Sequence, residues 1–383
     1  MTDTATLRSA DRNARLAALT LALCLPSDVL LYLLLPMHPE AFGITLAEAG
    51  ILLAANRLVR IFGYRQVLRF YSRFGDRRTL TIAAVAAMGC AVGNSTLSGF
   101  AALLGLRLVW GLCFAALNLS TQVLATAHAE GAAKRSGRSR AFIAIGPMLA
   151  LPLGALLSEA CGPRSVFMVL TFSCLAGAVI ARRLPAAPHA LGGGRRKLRL
   201  PDSVALWSFI EGVALDGLFI FGLSLQAQNL LGGDALIVAG LLMGLRYLSE
   251  MLLSPLGGHA AQRYGASAML LLFSVLSALA LAAFGSLWVV AGAAGVLVLR
   301  ALQLPLVTTL VAERNPGHAR VQALASNAVW RDIGAGLGPM LAGWLLPVAS
   351  APWVFSLAGL AIVASAVGCW ARSAVAEGDS AQG

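Results

Sequence analysis

The stretch Leu103-Leu-Gly-Leu-Arg107-Leu-Val-Trp110 returns further along the chain as Val296-Leu-Val-Leu-Arg300-Ala-Leu-Gln303. Each copy sets one arginine in an apolar run, and the two stand about 190 residues apart. Three more marks repeat in the same order at nearly the same spacing. Gly146-Pro147-Met148-Leu149 returns as Gly338-Pro339-Met340-Leu341, Arg73-Phe74-Gly75 as Arg263-Tyr264-Gly265, and Asp28 as Asp216. Internally duplicated membrane proteins commonly carry a solute at the interface between their halves.

Composition supports a membrane setting. Hydrophobic residues make up 58% of the 383 and charged residues 12%, against about 25% charged in a soluble domain. The mean hydropathy is +0.79. A net charge of +12 could point to nucleic acid, but such a footprint needs one basic face in polar surroundings. Here the cations alternate with apolar runs of bilayer length, which excludes that reading. The six cysteines form no CxxC pair, so neither a metal site nor a disulfide framework is supported, and no cofactor is implied. The five histidines lie in connections or at span ends. The first apolar run lacks a clear small-residue cleavage site and reads as a retained helix.

A bilayer-length window predicts an all-α protein with twelve spans near 16–36, 46–70, 79–97, 100–124, 141–160, 165–183, 203–225, 236–256, 267–285, 288–311, 323–346 and 352–371. Alternate connections are basic, among them Arg8, Arg12 and Arg15; Arg73, Arg77 and Arg78; Lys134, Arg135, Arg138 and Arg140; and Arg195, Arg196, Lys197 and Arg199. The opposite connections hold Arg164 alone. The positive-inside rule then puts the basic side and both termini in the cytoplasm. The Pro- and Gly-rich stretch after residue 183 divides a first half (1–183) from a second (203–372). Residues 184–202 read as a cytoplasmic linker and 373–383 as a tail.

Charges left inside the spans are the candidate site. Arg57, Arg60, Arg107, Arg246, Arg300 and Arg331 lie deep, whereas Arg65 and Arg69 are near enough to an end to snorkel. Five acids join them: Asp28, Glu211, Asp216, Glu250 and Asp332. Each such charge costs about 2.5–3.5 kcal/mol at mid-bilayer, so it must pair, line water or act on a solute. Arg246 and Glu250 stand four apart on one helix and can pair. Arg57 and Arg60 project together beside Asn56 and need an acid or an anionic ligand, with Asp28 a candidate. Arg107, Gly111, Phe114 and Asn118 form one polar-aromatic stripe that reads as a cavity wall. Arg246, Glu250, Arg300 and Gln303 complete the expected substrate cavity. A carboxylate in low dielectric favours its protonated form and a nearby arginine its charged form, so breaking such a pair moves a proton. Asp28, Asp216 and Glu211 are therefore candidate proton sites. The five-residue separation of Glu211 and Asp216 puts them on different faces of an α-helix.

These motifs resemble the major facilitator superfamily over nearly the whole chain. The segment Leu103-x-x-x-Arg107-x-x-Trp110-Gly111 is similar to its helix-four motif, with Trp110 where Gln is usual. The resemblance implies that Arg107 takes part in proton coupling. The loop after helix two keeps Arg73-Phe-Gly75-Asp76-Arg77-Arg78, and its second copy keeps Gly258, Arg263 and Gly265. In the family this loop is a cytoplasmic gate latch. Gly146-Pro147 in helix five and Gly334-x-x-x-Gly338-Pro339 in helix eleven resemble a motif of exporters. Glycine permits close helix approach and proline permits bending.

The expectation is a monomeric, non-enzymatic secondary transporter of the bacterial inner membrane. It exports a small polar or anionic molecule, such as a siderophore, in exchange for protons by rocking two halves about a central site. An importer of the same fold, a multidrug efflux pump and a transporter-like sensor are the alternatives.

Overall fold

The computed structural model describes residues 4–186, 201–220, 222–223, 235–286, 288–317, 319–346 and 348–380. The basic run from Arg195 to Arg199 in the expected linker lies outside the described residues, as do the end of span seven after residue 223 and the last three residues of the tail. The α-helices among the described residues are α1 Thr4–Cys24, α2 Pro26–Met37, α3 Leu46–Thr96, α4 Phe100–Ala125, α5 Ala132–Cys161, α6 Ser165–Ala181, α7 Ser203–Glu211, α8 Ala235–Tyr264, α9 Ala266–Phe284, α10 Val289–Arg314, α11 Ala319–Leu345 and α12 Ala351–Ser380. The π-helical segment Gly212–Leu218 continues α7.

Helices and spans do not correspond one to one. Span one runs through α1 and α2, which meet at Leu25 with helical dihedrals of φ −62° and ψ −34°; Pro26 lacks an N–H, so one bond of the ladder is missing there. Spans two and three are joined in α3. A capping box starts α3, with the Thr45 N–H donating to Glu48 Oε2 at 2.8 Å and the Glu48 N–H to Thr45 Oγ1 at 3.3 Å. At Gly75 the backbone turns to φ 71°, ψ −174° and the chain reverses, a conformation that glycine adopts without steric cost. Its repeat partner Gly265 turns at φ 85° between α8 and α9. Seven described helical stretches are long and apolar enough to cross a membrane, and one of them, Ile51–Thr96, is the folded pair.

Several helices outrun the predicted spans. The fifth begins at Ala132 and the eighth continues to Tyr264, so Lys134, Arg135, Arg138 and Arg140 lie in α5 and Gly258 lies in α8. A hydropathy window detects only the apolar part of a helix, whereas the hydrogen-bonded ladder continues through the polar turns beside it. The predicted C-terminal tail is likewise helical as far as Ser380.

The two Gly-Pro copies do the same packing work. A Cβ on Gly146 would stand 1.8 Å from the Ala22 carbonyl oxygen of α1, and one on Gly338 would stand 2.5 Å from the Val213 carbonyl oxygen. Each half thus presses a glycine of its fifth helix onto its first. The second half adds Gly334 against Phe209 and Gly212 against Arg331. Neither Pro147 nor Pro152 interrupts α5; the side chain of Pro339 lies outside the described set.

The halves touch at the basic end of the bundle. A Cβ on Gly137 of α5 would lie 2.5 Å from the Ser254 carbonyl oxygen of α8, and one on Gly258 would lie 2.4 Å from that of Ala133. Arg320 at the start of α11 donates to the carbonyls of Thr126 and Ala127 at 2.5 and 3.1 Å, beyond the end of α4.

Replacing Gly146 by Val should cost about 1–3 kcal/mol or more through overpacking. Gly89→Ala, where an added Cβ meets nothing within 4 Å, should be neutral or gain up to about 1 kcal/mol. Thermal midpoints of the two purified variants test this; equal midpoints would show that the α1–α5 contact yields to a side chain.

Candidate functional site

Each half builds one acid–arginine pair from its first and fourth spans. In the first half, Arg107 of α4 hydrogen-bonds Asp28 in the first turn of α2. Asn56 of α3 donates to the same carboxylate at 3.0 Å. Arg107 also donates through Nε to the Leu52 carbonyl at 3.0 Å, and its guanidinium lies 5.3 Å from the Tyr32 ring centroid. At 2% exposure Arg107 is sealed from solvent.

The second half enlarges this pair into a cluster. Arg300 of α10 donates to Asp216 Oδ1 through Nε at 2.9 Å and Nη2 at 2.6 Å. Arg331 of α11 reaches Asp216 Oδ2 at 2.7 Å and Glu211 Oε2 at 3.0 Å. Arg246 of α8 reaches Asp216 Oδ1 at 3.1 Å and Glu250 at 3.6 Å. Arg300 also bonds Glu250. Three arginines and three carboxylates therefore neutralise one another. The i,i+4 pair of Arg246 and Glu250 is present, but Arg300 and Asp216 compete for both members.

Glu211 and Asp216 share a face, contrary to expectation. The reason is the π-helical segment between them: hydrogen bonds from i to i+5 close a wider turn and bring residues five apart onto one side. Arg331 bridges both. Wide-turn segments were not legible from a 3.6-residue period, although the glycines at 212 and 217 mark the place.

Between the halves, Arg60 and Arg57 of α3 meet α11. Arg60 forms an ion pair with Asp332 at 3.0 Å and lies 4.7 Å from the Phe114 ring centroid. Arg57 donates to the Ala335 carbonyl at 2.9 Å. Neither pairs with Asp28, as sequence proximity had implied, because Arg107 occupies that carboxylate. Gln303 is 1% exposed and donates to Ser277 of α9 at 3.2 Å, so it faces its own half.

The structure adds Arg140, which the sequence placed in a basic connection. It lines a narrow crevice with Asn118 and Gln122 of α4, Ser139 of α5 and Thr308 of α10. The crevice lies between the basic-end contact and the central charges. It draws on both halves.

The gate-loop residues divide similarly. Asp76 is buried, accepts from Tyr71 at 2.7 Å and is bonded by Ser120 of α4. Arg77 donates through Nε to the Leu184 carbonyl at 2.7 Å. Arg73 and Arg78 lie beside the Phe74 ring, and Arg263 beside that of Tyr264. The loop is thus held to the first half through Asp76 and Arg77, whereas Gly258 sits on the contact between halves.

Two six-helix bundles with buried charges at their junction define a multi-spanning solute carrier. The chain belongs to the major facilitator superfamily: the family model matches residues 16–232 and 213–381. This is a family of non-enzymatic membrane carriers for small molecules. No curated protein sequence matches the chain. The fold is similar to that of the human organic anion transporter MFSD10 (TETRAN), with a TM-score of 0.76 at 17% identity, covering 94% of this chain and 99% of that one. It is also similar to the proton:xylose symporter XylE bound to 6-bromo-6-deoxy-D-glucose, with a TM-score of 0.75 at 15% identity over 96% of each.

The Arg60–Asp332 pair should be measurable as a link between halves. Arg60→Gln and Asp332→Asn should each lower the thermal midpoint, because each leaves a partly buried charge unpaired. The double variant should lose less than the two single losses together, with a coupling of about 0.5–3 kcal/mol. Additive losses would show that the two charges are not energetically coupled.

Proposed function

We propose that this carrier exports a small polar or anionic organic molecule in exchange for protons, by rocking its halves between states open to either side. The observation that carries the substrate class is an imbalance of interior charge. Seven arginines (Arg57, Arg60, Arg107, Arg140, Arg246, Arg300 and Arg331) stand against five carboxylates, all five of which are engaged by arginine. Among the described residues, Arg57 and Arg140 form no ion pair, and a permeating anion would supply the missing charge. The organic anion transporter MFSD10, which shares the fold, is in keeping with this class. A lipophilic cation, as a multidrug pump would take, meets the wrong sign of charge.

Proton coupling is assigned to the first half. Asp28 faces one guanidinium, whereas Asp216 faces three. A shift of α4 away from α2 is enough to free Asp28 for a proton, whereas freeing Asp216 requires α8, α10 and α11 to move together. Glu211 and Asp216 then serve to hold the second-half cluster. XylE, described as a proton symporter, shares the fold and runs the opposite way, so import remains the second reading. The exporter-like Gly-Pro packing in both halves favours export. Proteoliposomes with an imposed pH gradient separate the two: solute moving against the proton flux supports export, and co-movement supports import.

The cation distribution favours a cytoplasmic basic end; a bacterial inner membrane and a monomeric working unit complete the proposal. In that orientation the basic-end contact closes the cytoplasmic entrance.

Asp28→Asn should leave the protein inserted and abolish the response of flux to the pH gradient, while flux down the solute gradient persists. Unchanged proton-driven transport would remove Asp28 from the mechanism. Arg107→Ala should abolish transport, with Arg107→Lys a poor rescue because the forked donor is lost; wild-type rates in both would make Arg107 a purely structural residue.

A further inference from the structure

Arg140 is the one interior arginine, among the described residues, that makes neither an ion pair nor a hydrogen bond. Arg57 at least donates to a carbonyl. Of the neighbouring cations, Lys134 is exposed, Arg135 is buried and donates to the Ala125 carbonyl at 3.0 Å, and Arg138 lines a separate recess with Asp11 and Arg15. The second-half charges whose fields reach Arg140 include Arg331, Glu250, Arg300 and Glu211. Those groups are committed to one another in the neutral cluster. Arg140 is thus a spare positive charge, half-buried, at the edge of an already balanced network.

The crevice lining mixes polar side chains with Ala125 and Ile143 and includes no carboxylate. Asn118, Gln122, Ser139 and Thr308 line the crevice beside it. Amides and hydroxyls of this kind both donate and accept hydrogen bonds. A guanidinium offers a planar fork that matches a carboxylate. The cost of an uncompensated cation at membrane depth is met when it lines a solute pathway. In this conformation the crevice has room for about one water, ≈ 10 Å³. Because Thr308 belongs to the second half and the rest of the lining to the first, rocking the halves would widen it to admit a solute.

We propose that Arg140 and its crevice form the anion-recognition point for a small hydroxylated organic carboxylate, with Arg140 clasping the carboxylate and the amide and hydroxyl side chains holding its hydroxyls. The assignment rests on the polar or anionic substrate class proposed above and names the residue that recognises it.

The test uses the full chain in lipid nanodiscs at pH 7 and constant ionic strength. Thermal midpoints are followed by tryptophan fluorescence against gluconate, tartrate and citrate, with glucose and glycerol as uncharged counterparts. At least one carboxylate should raise the wild-type midpoint in a saturable way, and glucose and glycerol should not. Arg140→Gln should weaken that apparent affinity about tenfold or more, as for loss of a charged hydrogen bond. Arg140→Lys should fall between the two, and Arg65→Gln, at an exposed arginine, should match wild type. Without ligand, Arg140→Gln should keep or raise the wild-type midpoint, because it removes an unpaired charge. A clear drop there would make Arg140 structural and overturn the inference. Undiminished carboxylate affinity in Arg140→Gln would also overturn it, while leaving the anionic class standing. If none of the three carboxylates shifts the wild type, the ligand class assigned to the crevice is wrong. A glucose shift in their place would sink the broader anionic reading as well.

Discussion

The carboxylate of Asp216, held by Arg246, Arg300 and Arg331, is the interaction on which the second half of this protein depends. Those arginines come from α8, α10 and α11, so one buried acid ties three helices to the seventh span. In low dielectric neither sign is tolerable alone, and removing one partner of such a pair costs about 3–5 kcal/mol. The π-helical turn at Gly212–Leu218 is part of the same solution, because it brings Glu211 to Arg331 as well. Glycines complete it. Without the bare backbones at Gly334 and Gly338, α11 could not lie close enough against span seven for Arg331 to reach across.

The first half solves the same problem with fewer parts. Asp28 and Arg107 form a single pair, with Asn56 donating to the carboxylate and the Leu52 carbonyl accepting from the guanidinium. The two halves therefore share a skeleton, with an acid in span one, an arginine in span four and a glycine of span five pressed onto span one. They differ in how firmly that skeleton is locked. A carrier that must rearrange its charges in each cycle gains from such a difference, since the lightly held pair can exchange partners while the heavily held one keeps the helices in place. Arg60 and Asp332 join the two halves where they must part, and an ion pair tolerates separation better than a packed apolar contact once water enters.

Much of the fold was legible in the chain. The repeated arginine motif, the apolar runs and the basic connections carry the twelve-span reading because the bilayer imposes length and hydropathy on every crossing. The turns at Gly75 and Gly265 were marked by their glycines. The site was legible only as a set of residues. Asp28 lies on a span neighbouring that of Arg57 and Arg60, yet Arg107 reaches it from α4. A hydropathy window stops at Arg140 because charge begins there, although the helix continues. A regular period sets Glu211 and Asp216 on different faces because it cannot show a wide turn.

The sequence by itself determined that this is a duplicated, membrane-spanning carrier and which charged side chains it must shelter from lipid. Those facts follow from local chemistry, from the cost of putting each residue in hydrocarbon and from the identity of its repeat partner. Only the tertiary structure decided which acid answers which arginine, and which arginine is left over. Pairing is a matter of distances between side chains far apart in the chain, fixed by how closely glycine-faced helices pack, and Arg140 is left over because no carboxylate among the described residues comes within ion-pair distance of it.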